Sequence, residues 1–480
     1  MSFAAVRVVA AVFLVFSSGG YTAANDDVEL LNGTLIAKLH LDTRPDRAQM
    51  LGAYQVSFRN TGDAPLGRVS ILLNPGLRVS KVLGPGGARL QTSDRNANVA
   101  GTTGLRLKVV DISFAVPLKP KSRLEIVIHY AGTLDDLSVM GLPQSREMLS
   151  PDFTMLRAEG FAYPVFAYPT MPGIEAAWQG KPFHQVAFVE VNGSQNIVGN
   201  LSFAEKTTTG TKTNFELKST QPTGPLTLAI GDYDTNRSGG ITVAFRTGQA
   251  TEARSIAAAL ATYSESLNQS VGTPKSNAQL TIASVRDGYG SGRRQGLVYV
   301  EDSMFDAATL SEGRGIGAKL RAAVLDMWML NPSRAAGHWA NGIDRFIMAA
   351  QTSESDMPHI KKTLFDEVLT LEKRNRTLGK TPLTDFTTEG FEVEADAVST
   401  LAFAVLHDLL GEEQFWALIR KLRGELSAGY TDTTTLADFL DRSLDNRAAK
   451  KFAANWFEKG RMGKDLAKAE TFGELVSRYR

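Results

Sequence analysis

The spacing of apolar residues changes once along this chain of 480 residues, near Thr247, and a change of period restricts the fold to two unlike halves. From about Asp26 to Gly248 apolar and polar side chains alternate with period two, the signature of strands with one buried face. Tyr54, Val56 and Phe58 fall on one side, and Gln55, Ser57 and Arg59 on the other. The stretches Leu105–Val109 and Leu124–Tyr130 alternate in the same way, and turn-forming residues separate such runs at Asn60–Asp63, Asn74-Pro75-Gly76, Gly84–Gly87 and Pro117–Lys121. This half is predicted to be an antiparallel all-β domain. Beyond Thr247 the spacing becomes helical. A helix is expected over Glu252 to Asn268, then strands over Ala278–Val285 and Leu297–Val300, then helices almost throughout from Ala318. Leu401, Val405, Leu406, Leu409 and Leu410 form an apolar stripe that stops at Gly411, and Phe415, Leu418, Ile419 and Leu422 form the next. The fold class is therefore α+β and multidomain. No repeat or low-complexity linker intervenes, so the halves are expected to pack directly.

Residues 1–24 read as an address. The apolar run Val8–Phe16 is broken by Ser17-Ser18-Gly19-Gly20, short of the roughly 20 residues of a spanning helix, and small residues at Thr22 and Ala24 suit a signal-peptide cleavage site. The expected location is exported, periplasmic or secreted, with no transmembrane segment after cleavage. Fifty-two basic against 51 acidic side chains leave a net charge of +1, which provides no field for nucleic acid. The absence of cysteine excludes disulfides, thiolate nucleophiles and cysteine-ligated metals. Six histidines remain, at His40, His129, His184, His338, His359 and His407.

Several stretches carry a family resemblance. Tyr54–Asn60 through Leu77-Arg78-Val79, Leu124–Gly132, Gly290–Tyr299 and Val398–Phe457, in the order signal, β domain, short α/β piece and helical domain, resemble the gluzincin zinc aminopeptidases of the aminopeptidase N family. The resemblance implies a β domain over residues 25–248 and a thermolysin-like catalytic-type domain over 249–480. Gly290–Tyr299 stands where that family has its G-x-M-E-N-x-G-L strand.

In that family zinc is held by H-E-x-x-H and a glutamate on the next helix. Histidines at i and i+4 share a helix face, and the motif glutamate takes a proton from the metal-bound water. This chain contains no H-E-x-x-H. Alignment through Trp328 puts Ala322-Ala323-Val324-Leu325-Asp326 at the motif, and the segment His338–Phe346 puts Asn341 at the glutamate ligand. Arg293 stands at the glutamate that binds a substrate's α-amino group. The catalytic tyrosine falls near Asp396 or Ala397, and no tyrosine occurs between Tyr299 and Tyr430. The resemblance thus implies a catalytically inactive, aminopeptidase-like pseudopeptidase with no cofactor, whose vestigial cleft would comprise Arg293, Arg294, Asp326, His338, Asn341 and Asp344. Such a cleft would bind a peptide or protein partner, Arg293 favouring a negative group over an amine. The alternative is a divergent zinc metallopeptidase with rearranged ligands, for which Asp326, His338 and Asp344 are the candidates.

Other features carry less. Arg293 and Arg294 beside Gly290-Ser291-Gly292 suit an anion site or simply a charged strand start. Gly313–Lys319 lacks the spacing of a phosphate loop, and Ser291 lacks the frame of a nucleophile elbow. His359 and His407 are expected at the surface. The aromatic run Phe161–Pro169 is expected to form interdomain core rather than a peptide platform.

Overall fold

The computed structural model describes residues 27–139, 142–146, 148–178, 180–220, 222–274, 279–308, 315–328, 339–351, 356–386, 390–427 and 433–480. The candidate signal, His338 and part of the Gly313–Lys319 stretch lie outside them.

The alternation of the first half becomes a seven-stranded sheet in the order Ser202–Thr209, Lys212–Lys218, His184–Val191, Val28–His40, Gln49–Asn60, Arg123–Gly132 and Leu77–Leu83. Tyr54, Val56 and Phe58 are buried, as their period requires, and Val56 pairs with Ile126 on the next strand. A three-stranded sheet of Leu66–Leu73, Arg106–Leu118 and Gln91–Asn98 shares its core through Val69, Ile71, Leu107 and Val109. The large sheet is antiparallel except for one pair: Asn32–Leu39 runs parallel to His184–Val191. The turn Asn74-Pro75-Gly76 is pinned from inside. The buried Asn74 amide donates to the carbonyls of Asp135 (2.9 Å) and Gly160 (3.1 Å) and accepts from the N–H groups of Gly76 and Asp135, which uses its full hydrogen-bonding capacity.

A second three-stranded sheet, Phe153–Arg157, Thr227–Gly231 and Asn196–Gly199, leads to a five-stranded sheet of Tyr233–Ser238, Ile241–Arg246, Leu280–Val285, Leu297–Glu301 and Gly292–Arg294. This five-stranded sheet joins residues on both sides of position 248. The apolar junction between the two sheets contains Phe153, Met155, Val198, Tyr233, Val285, Tyr289 and Tyr299. Phe161, Tyr163, Val165 and Phe166, expected in an interdomain core, are instead packed within the β domain, because Val165 pairs with Leu72 and draws the run inward.

The helix Ala250–Val271 packs over the five-stranded sheet, and the helices that follow surround Glu392–Leu410. Every residue from Leu401 to Leu406 is inaccessible, so this helix is buried all round rather than along one stripe. It stops where the Gly411 N–H donates to His407 O at 2.9 Å. His407, expected at the surface, packs instead among Phe346, Phe415 and Trp416, because the helix that carries it is enclosed. His359 is exposed, as expected.

Next to His407, Asp408 is paired with Lys361 and lies 3.3 Å from His407 Nδ1. Burial works to raise its pKa, but the hydrogen bonds from His407 and Lys361 prevail and hold it below 3.8. A carboxylate with a depressed folded-state pKa contributes stability above its unfolded value and loses it as pH falls through the folded value. The denaturation midpoints of wild type and Asp408→Asn should therefore be well separated at pH 7 and converge as pH falls through the folded-state value of Asp408. A gap of constant size across that range would show that the Asp408 charge is not the stabilising element.

Candidate functional site at the sheet edge

Arg293 and Arg294 are consecutive residues of the edge strand Gly292–Arg294, which turns through Gln295-Gly296 into Leu297–Glu301. Side chains of consecutive strand residues point to opposite faces, and the two guanidinium groups reach different carboxylates. Arg293 pairs with Asp326, just past the helix Gly315–Leu325. The Asp326 N–H donates to Ala322 O at 3.0 Å, so the helical pattern extends to residue 326. Arg294 pairs with Glu159, which follows the strand Phe153–Arg157 of the neighbouring sheet, and ties the two halves of the molecule together.

Arg157 closes the cluster from beneath. Only 3% exposed, it donates to Tyr289 O at 2.6 Å, with its guanidinium carbon 5.9 Å from the centre of the Tyr289 ring. Burial pushes the Arg294 pKa below its ordinary value; Tyr299 opposes that shift and Arg157 adds to it. Glu301 holds the preceding loop by accepting the N–H groups of Gly288 (2.6 Å) and Gly290 (3.0 Å). Ser291 Oγ accepts the Glu301 N–H at 2.9 Å, so this hydroxyl shapes the loop.

Of the residues singled out in the sequence, Arg293, Arg294 and Asp326 are thus brought together. Asp344 is half-buried on the helix Trp339–Ala350, where its charge acts on Tyr263 of the Ala250–Val271 helix. Asn341 belongs to the same helix, its side chain outside the described residues, as is His338. Arg157, Glu159, Tyr289 and Glu301 escaped the sequence reading. A signal for two of them exists: Arg157 and Glu159 are charges set between Phe153-Thr154-Met155-Leu156 and the aromatic run, an expensive place for ions without partners.

Among the described residues the donors at the motif positions do not fit zinc. At the motif positions Ala322 and the nearly inaccessible Ala323 offer methyl groups, and the one carboxylate, Asp326, is engaged by a guanidinium that has no lone pair to donate. Among the described residues no three of His, Cys, Asp and Glu are grouped to hold a metal ion.

The fold defined by these sheets and helices is the two-domain architecture of M1 peptidases, an N-terminal β-sheet domain and a C-terminal helical domain. The chain is similar to the M1 zinc metallopeptidase of Deinococcus radiodurans, in a mutant bound to a Tyr-Ser-Ala substrate: identity is 16%, coverage 91% of this chain and 95% of that one, and the TM-score 0.51. A two-domain M1 zinc metallopeptidase mutant bound to L-arginine is 14% identical, with 90% and 94% coverage and a TM-score of 0.52. Native yeast LTA4 hydrolase is 12% identical, with 92% and 70% coverage and a TM-score of 0.54. No family model and no curated protein sequence matches the chain. Identities this low establish the fold alone.

Proposed function

We propose that this chain is an exported, peptidase-like protein without zinc-dependent hydrolysis, and that it binds a peptide or protein partner. The observation that carries the reading is the Arg293–Asp326 ion pair. By the resemblance described above, it joins the position of an amine-binding glutamate to that of a zinc-binding histidine. Both positions have changed chemical character, and each now satisfies the other. A cation next to Asp326 disfavours a second cation there, metal or ammonium, by direct repulsion. Three guanidinium groups, those of Arg157, Arg293 and Arg294, gather here, and this concentration of cations favours a partner presenting a carboxylate. Export rests on the N-terminal address, and the near-neutral net charge argues against nucleic acid.

The experiment is a peptide array probed with the mature protein, together with aminoacyl and peptide hydrolysis assays with and without chelator. The expected outcome is capture of peptides bearing negative groups, weakened by Arg293→Ala, with no cleavage above the blank. Chelator-sensitive cleavage, or an array without retained peptides, contradicts the reading.

A further inference from the structure

We propose that the β domain holds a separate binding site for an uncharged two-ring aromatic molecule carrying a hydrogen-bonding oxygen, walled by the aromatic run that the candidate cleft does not use. Tyr163, Phe166 and Tyr168 of that run, with Tyr54, Trp178 and Phe183, line a cavity of about 390 Å³. An engineered apolar cavity of about 150 Å³ accepts benzene, so two fused rings fit here.

The wall also carries polar groups. Tyr54, 2% exposed, lines it together with Tyr163, whose hydroxyl donates to Leu226 O at 2.9 Å. The Trp178 ring N–H is buried without a partner among the described residues. Buried donors are nearly always satisfied in folded proteins, and an orphan at a cavity wall calls for a group that enters the cavity.

The backbone makes room for the Tyr54 hydroxyl. A Cβ at Gly33 would lie 2.6 Å from it and 3.0 Å from the Phe183 ring, so glycine keeps the space the phenol occupies. Two charged residues line the cavity, Glu29 and Lys181, and they pair with each other at 3.2 Å. Glu29 is held by Arg59 as well, at 3.6 Å, so the one carboxylate of the wall is already engaged and the site selects for aromatic surface and one polar atom.

The test is equilibrium dialysis of the mature protein against 2-naphthol and naphthalene. One 2-naphthol is expected per chain. Tyr54→Phe, which keeps the ring and removes the hydroxyl, should weaken 2-naphthol about three- to tenfold, the worth of one net hydrogen bond, and leave naphthalene unchanged. Ala177→Phe, at another lining residue, should abolish binding of both while the circular dichroism spectrum stays that of wild type. Absence of saturable binding, undiminished binding by Ala177→Phe, or equal effects of Tyr54→Phe on the two probes would overturn the proposal.

Discussion

Glu159→Gln is expected to destabilise the protein by about 3 kcal/mol, because it removes the negative charge paired with the largely buried Arg294 guanidinium. Arg294 and Glu159 expose 23% and 19% of their side chains, so water replaces little of what the substitution takes away. Arg157 makes the loss worse, since its charge already disfavours a second buried cation at Arg294. The double variant Glu159→Leu with Arg294→Met removes both charges and keeps apolar volume. It should recover stability to within about 1 kcal/mol of wild type, as buried ion pairs often do when replaced as a unit. Urea denaturation of the four proteins gives the coupling directly. If Glu159→Gln denatures at the wild-type midpoint, the pair contributes nothing to holding the two sheets together.

A larger change is expected from refilling the metal positions. Ala322→His, Ala323→Glu, Asp326→His and Asn341→Glu together install two imidazoles one helical turn apart, a base and an anionic ligand at the positions the resemblance indicates. The 3.0 Å bond from the residue 326 N–H to Ala322 O puts the two new histidines at helical i and i+4 spacing. With Arg293→Glu included, the variant should take up close to one zinc per chain. With Arg293 retained, zinc affinity should fall by about 10- to 100-fold, the usual cost of a hostile group beside the ligands. Zinc titration followed by elemental analysis separates these outcomes. Equal uptake by the two forms would mean that Arg293 does not reach the site.

Much of the fold was legible from local pattern. The strand Gln49–Asn60 buries the three residues that its period assigned to the core, and the helix Glu412–Ser427 buries Phe415, Leu418, Ile419 and Leu422. Local pattern could not supply non-local partnerships. The parallel pairing of Val28–His40 with His184–Val191 depends on how distant segments return to one sheet, and alternation reads the same for either direction. The buried stripe of Glu392–Leu410 was visible, but its enclosure on all sides depends on helices elsewhere in the chain, and with it the burial of His407. At the candidate site Arg293, Arg294 and Asp326 could be named from the resemblance. The neighbours of Arg294 could not, because Glu159 and Arg157 come from the other half of the chain; the Arg157–Tyr289 hydrogen bond spans 132 residues.

The most direct measurement is the metal content of the purified mature protein, by elemental mass spectrometry after dialysis against zinc and then against metal-free buffer. The expected result is a metal-to-protein ratio near zero, as befits Ala322, Ala323 and an Asp326 already held by Arg293. A ratio near one that falls with Asp326→Ala would contradict it and show that the chain retains a metal centre built from other ligands.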